Sequence, residues 1–257
     1  MNPLHAIRVL LLVSLLAGCA GAGVAPAPDG RADVKRRTDI RLELATAYFT
    51  GGQTEIALQE LNRALELSPR RADVLGLRGL VLMQLGDTER AGQNLRDALR
   101  MEPDNPSLQN NLGWFLCQNG DPDKAMVYFD RALATKSYAS PAKALVNAGL
   151  CRMRQGQYSL GEAYLRRALD AEPSNPQAHA ALARLAFERA EYARARKHLL
   201  TVIESDQVAA DNFLLAVRVE RKLGDVAAEQ SLLAQWRRRF PESPQLSAFL
   251  HGEPNDK

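Results

Sequence analysis

A spacing of 34 residues constrains this chain more than any other feature. Pro69, Pro103, Pro173 and Pro241 each follow a glycine by seventeen residues, at Gly52, Gly86, Gly156 and Gly224. A recurrence of this length means small supersecondary units, each unable to bury its own apolar face and stable only when stacked on the next. Units at 38–71, 72–105, 106–139, 142–175, 176–209 and 210–243 bring equivalent residues into register. The first places Leu44, Ala45, Tyr48, Ala57, Leu61 and Ala64 where the second has Arg78, Gly79, Leu82, Ala91, Leu95 and Ala98. The third continues with Leu112, Gly113, Leu116, Ala125, Phe129 and Ala132, and the fourth with Ala148, Gly149, Gly161, Leu165 and Ala168. Gly or Ala at two of these places lets a pair of antiparallel helices meet closely, while a bulky neighbour fills the gap beside them. The mid-unit glycine suits the end of the first helix, and proline forbids continuation of the second.

Composition agrees with helices: aromatic residues are only 6%, and Ala and Leu dominate where a sheet would favour aromatic and β-branched side chains. Length and positions together resemble the tetratricopeptide repeat. That resemblance implies an all-α protein, a right-handed α-solenoid superhelix of about six helix pairs whose first helices line an inner wall suited to peptides. Several places depart from the pattern. No unit has the usual early Trp, Ser137 stands where Pro is expected with an insertion before Pro141, and the fifth unit has Ala190 and Gln207 for Gly and Pro. Glu229 and Trp236 occupy small-residue places in the sixth unit, as a terminal capping unit tolerates. Residues 244–257 then read as a C-terminal tail.

The beginning of the chain is organised differently. His5 and Arg8 precede an apolar run from Val9 to Leu16, too short to span a bilayer, which takes about 20 apolar residues, and residues 1–18 therefore read as an export signal. Leu16-Ala17-Gly18-Cys19 resembles the bacterial lipobox, which implies lipidation of Cys19 as the first mature residue. Ala20 rather than Asp after it implies, by the same resemblance to enterobacterial lipoproteins, the periplasmic face of the outer membrane. Residues 19–37 lack apolar periodicity and are expected to form the lipidated start and a flexible tether, with an end-to-end reach of about 20 to 25 Å.

Little in the chain points to bond-making chemistry. His179, His198 and His251 are scattered, and neither metal-ligand spacing nor a phosphate loop occurs, so no cofactor or metal is expected and the chain reads as a non-enzyme. A net charge of +3, from 33 Lys and Arg against 30 Asp and Glu, is not the concentrated basic face of a nucleic-acid binder. The runs Lys35–Arg37 and Arg237–Arg239 are expected to solvate helix ends, with contact to anionic lipid headgroups as the alternative for Lys35–Arg37. With Cys19 assigned to lipid, Cys117 and Cys151 remain as an even pair on the first helices of neighbouring units. A disulfide between them is the expectation for an oxidising compartment, two buried thiols the alternative.

The inner wall can be drawn from the places that face inward in this repeat family. They are Leu42, Thr46 and Phe49 in the first unit, then Gly76, Leu80 and Met83. Asn110, Trp114 and Cys117 follow, and then Val146, Leu150 and Met153. Core packing is the alternative for any one of them. Such a lining suits a hydrophobic peptide helix, a strand edge or an acyl chain. Clamps for a terminal carboxylate in this repeat family use Lys and Asn here, and only Asn110 corresponds.

The stretch Asn110-Asn111-Leu112-Gly113-Trp114-Phe115-Leu116-Cys117, continuing through Gly120, Ala125 and Phe129, is the most specific segment, together with Asn147-Ala148-Gly149-Leu150-Cys151. Both resemble the type IV pilus biogenesis and stability lipoproteins (PilF/PilW). The resemblance implies a pilotin: a lipid-anchored outer-membrane protein that is moved by the lipoprotein carrier system, binds type IV pilus secretin subunits and promotes their multimerisation. Outside that complex the chain is expected to be a monomer. An adaptor for a periplasmic protease or for outer-membrane barrel assembly is the alternative, distinguished by what co-purifies.

Overall fold

The computed structural model describes residues 30–206 and 208–252, so Cys19 and the export signal lie outside the described residues. Thirteen helices and no strand occur among the described residues. The first pair is α1 (Gly30–Thr50) with α2 (Thr54–Leu67), followed by α3 (Ala72–Gln84) with α4 (Thr88–Met101) and α5 (Pro106–Gln118) with α6 (Pro122–Ala134). The series continues with α7 (Pro141–Arg154) and α8 (Tyr158–Ala171), α9 (Pro176–Glu188) and α10 (Tyr192–Glu204), and α11 (Ala210–Leu223) and α12 (Val226–Arg239). A short α13 (Pro244–Leu250) ends the array. Each first helix packs on its own second helix and also on the first helix of the next pair, the arrangement of an α-solenoid.

Local chemistry sets the boundaries of these helices. Gly52, Gly86, Gly120, Gly156 and Gly224 hold φ between 74° and 92° between the two helices of a pair, and Ala190 takes the same left-handed turn at φ 59°. Asp87, Asp121 and Asp225 accept backbone N–H bonds at the starts of second helices, as Asn105 and Asn175 do at the starts of first helices. Such caps satisfy donors that the helix itself leaves open. Within each pair the small positions are fully buried, among them Ala57, Ala91, Ala125 and Ala195, beneath Leu61, Leu95 and Phe129.

Three regions differ from the sequence reading. Of the tether expected over 19–37, residues 19–29 lie outside the described residues, and residues 30–37 are helical, the first turns of α1. Charges of alternating sign support its exposed first turns, with Asp33 paired to Arg36 at 2.9 Å and Lys35 to Asp39 at 2.7 Å. Thr38 is fully buried against Ser68, hydroxyl to hydroxyl at 2.9 Å, and the Arg71 guanidinium donates to Asp39 at 2.9 Å. Such ion pairing leaves no apolar periodicity to read. The expected tail likewise contains α13, whose Leu246 is buried and whose Phe249 ring lies 5.9 Å from Trp236. Trp236 is fully buried in the C-terminal core, which also takes in Phe213 and Leu246. Finally, the insertion after the third unit carries Tyr138 into a small core with Ala132 and Ala144, where burial pushes its phenol up to about 12.

Candidate functional site: the concave groove

One cavity of about 600 Å³ receives side chains from all six first helices. Phe49 comes from α1, Leu80, Met83 and Gln84 from α3, and Asn111 and Trp114 from α5. Lys143, Asn147, Leu150 and Met153 follow on α7, Gln177, Ala180, Ala181 and Arg184 on α9, and Asn212 and Leu215 on α11. On α7 these residues are spaced by four, three and three, one stripe of a helix. Each stripe exists because the opposite side of the same helix carries the small buried residues that contact its pair mate. The groove is therefore a by-product of the packing that builds the solenoid.

Of the wall residues read from sequence, Phe49, Leu80, Met83, Trp114, Leu150 and Met153 line the cavity. Four do not. Asn110 and Val146 are buried, with 1% and 0% of their surface exposed, because the fifth place of a unit turns toward the next pair. Gly76 shows the reason at the same place: a methyl group there would stand 2.4 Å from Leu108 of the following first helix. Leu42 packs into the core of the first pair, and Thr46 is exposed outside the cavity with its hydroxyl donating to the Leu42 carbonyl at 2.8 Å. The sixth place faces the groove instead, which brings in Asn111, Asn147 and Ala181. A rotation of one residue, about 100° on a helix, separates the two registers, and the only hint of it in the sequence was a glycine, Gly76, at the fifth place of the second unit.

The polar groups of the wall are positioned from behind. Buried Asn110 accepts from Asn147 Nδ2 at 3.0 Å and points its own Nδ2 at Asn111 Oδ1, 3.4 Å away. Cys117, facing inward by sequence, is bonded to Cys151 with their Cα atoms 5.9 Å apart, and both are buried. This link ties α5 to α7 directly behind Trp114. Elsewhere cations meet carboxylates: Glu162 is approached by Arg166, Arg189 and Arg194 at 2.5 to 2.7 Å, and Arg196 pairs with Glu220 and Asp225. Arg239 from the C-terminal basic run donates to the carbonyls of Ile203 and Ser205 at 2.8 and 3.0 Å, closing the end of α10. His179 and His198 contact each other at 2.9 Å outside the groove. Among the described residues no three His, Cys, Asp or Glu side chains converge as metal ligands would.

Comparison with known proteins places this architecture. The tetratricopeptide repeat family matches residues 82–148 and 152–215, and a second set of repeats of the same description matches 42–93. No curated protein matches the sequence. Among solved structures, that of PilW, a widely conserved type IV pilus biogenesis factor, is 33% identical, covers 83% of this chain and 98% of its own, and superposes with a TM-score of 0.66. The Pseudomonas aeruginosa PilF structure shares the fold at 23% identity, covering 86% of this chain and 100% of its own with a TM-score of 0.64. A tetratricopeptide repeat protein from Parabacteroides merdae shares it at 17% identity over 83% of each chain, with a TM-score of 0.62. The chain thus belongs to the tetratricopeptide repeat family and, within it, to the PilW type IV pilus biogenesis factors.

Proposed function

We propose that this protein is a pilotin, a lipid-anchored protein of the outer membrane that binds subunits of the type IV pilus secretin and promotes their localisation and multimerisation there. The observation that carries the reading is the single groove across all six first helices, apolar along Phe49, Leu80, Trp114 and Leu150. A wall contributed by six successive pairs suits an elongated polypeptide rather than a compact metabolite. Its apolar surface would be a liability if nothing covered it.

In this mechanism the acylated Cys19 lets the lipoprotein carrier system deliver the chain across the periplasm while the groove holds a secretin segment. Each buried methylene of the lipid contributes about 0.8 kcal/mol, so more than one acyl chain gives durable anchoring. Fixing the groove to a membrane surface raises the local concentration of its cargo and so favours multimers without any bond-making step. The test is membrane fractionation of cells carrying Trp114→Arg, Cys19→Ala or a full deletion. Trp114→Arg is expected to leave the protein in the outer membrane but deplete heat-stable secretin multimers, and Cys19→Ala to mislocalise both proteins. Normal multimers in the outer membrane of the deletion strain would overturn the proposal.

A further inference from the structure

The groove is not uniformly apolar, and the exceptions share a sign. Lys143 and Arg184 line it, and no Asp or Glu does. No hydrogen bond or ion pair among the described residues engages the end of either side chain. This sets them apart from Arg71, held by Asp39 and Asp73, from the three arginines around Glu162 and from Arg196. Lys143 is exposed overall, yet the wall it lies against desolvates its ammonium enough to push the pKa below the usual lysine value. A cation held in that way gains from a carboxylate more than a fully solvated one does.

Amide side chains accompany the two cations. Asn111, Asn147, Gln177 and Asn212 place one amide on each of four consecutive first helices, α5, α7, α9 and α11. Amides in such a row can donate to and accept from the main chain of an extended peptide. Buried Asn110 holds the first two of them in place, with Asn147 Nδ2 donating to it at 3.0 Å.

We infer that the groove is selective for an extended segment with an internal Asp or Glu, whose carboxylate is received by Lys143 and Arg184 while its apolar neighbours lie on Trp114, Leu150 and Leu215. The inference rests on the reading above that the groove holds a polypeptide. The carboxylate is that of a side chain rather than a chain terminus, because the lined surface runs past the two cations in both directions, to Phe49 on α1 and to Asn212 and Leu215 on α11. A terminus would leave one of those arms empty.

The probe is a peptide of alternating Leu and Ser, acetylated and amidated at its ends, with a single central Glu, titrated against the full chain beside the same peptide carrying Gln. The Glu peptide is expected to bind about tenfold more tightly, the equivalent of one charge-assisted contact, and its advantage should shrink as salt rises. Lys143→Met with Arg184→Gln should abolish the preference, so that the Glu and Gln peptides bind alike, while the helical circular dichroism stays that of the natural chain. Equal binding of the two peptides, or a preference that survives the double substitution, overturns the inference and leaves the groove reading standing. If neither peptide binds, or if Trp114→Arg binds both as well as the natural chain does, the groove reading fails and takes the carboxylate with it.

Discussion

Only one proton fits in the 2.9 Å contact between the Nδ1 atoms of His179 and His198. His179 Nε2–H donates to the Pro173 carbonyl at 2.9 Å, so its Nδ1 accepts from His198. Burial of His198, next to His179 and near Arg194, Lys197 and Arg166, pushes its pKa down to about 4 from 6.5. The unfolded chain therefore binds this proton first, and the associated stability is full above about pH 6.5 and is lost as pH falls toward 4. Glu162 acts lower on the scale. Burial alone would raise its carboxyl, but hydrogen bonds from Arg194 and Arg189 and the charge of Arg166 more than offset that and hold it below 4.5. Its contribution is present above 4.5 and disappears as pH drops through the lower, folded value. Melting temperatures recorded between pH 7 and 3 should thus fall in two stages, with His198→Gln flattening the upper and Glu162→Gln the lower. Neither partnership was legible in the sequence, because 19 residues separate His179 from His198 and 32 separate Glu162 from Arg194.

Helix boundaries were legible wherever backbone geometry demands a particular residue. The left-handed turn inside each pair falls on glycine in five of the six units, and in the fifth on Ala190 at φ 59°. A residue with a Cβ carries about 1 to 2 kcal/mol of strain in that conformation, part of which glycine returns as freedom in the unfolded chain. Ala190→Gly should therefore stabilise the protein, by about 0.5 to 1 kcal/mol net, read as a higher urea midpoint at unchanged slope. Contacts between helices were legible in the same way. A Cβ on Gly161 would lie 2.8 Å from the Gly149 carbonyl oxygen, so the paired glycines of α7 and α8 mark where two backbones touch. The start of α1 left no comparable mark. Its first turns rest on exchanged charges and on Thr38 meeting Ser68, contacts without a repeating apolar signature.

At the scale of the whole molecule, a stack of pairs touches mainly its neighbours, so the array is no stronger than its weakest interface. The Cys117–Cys151 bond spans one such interface and closes a loop of 34 residues. In the chain-entropy account a loop of that size is worth about 3 to 4 kcal/mol. Reduction, or Cys117→Ser with Cys151→Ser, is expected to lower stability by that amount. Because the link joins α5 to α7 behind the groove, the effect should extend to weaker retention of groove ligands, measured as faster release of a bound peptide. Unchanged release from a chain destabilised by the full amount would separate the structural role of the bond from any role in shaping the groove.

Periodicity by itself determined the class of fold, the number of pairs and where each pair turns, since a 34-residue recurrence of small, bulky and turn-forming residues satisfies only one kind of stacking. It also placed the two cysteines on adjoining first helices. What tertiary structure decided was orientation about each helix axis and everything at the two ends. Whether the fifth or the sixth place of a unit faces the groove depends on how tightly the next pair packs, as the 2.4 Å approach of Leu108 to the Gly76 position shows. The two unpaired cations become visible only after six helices converge, because whether a charge has a partner is a property of space and not of sequence.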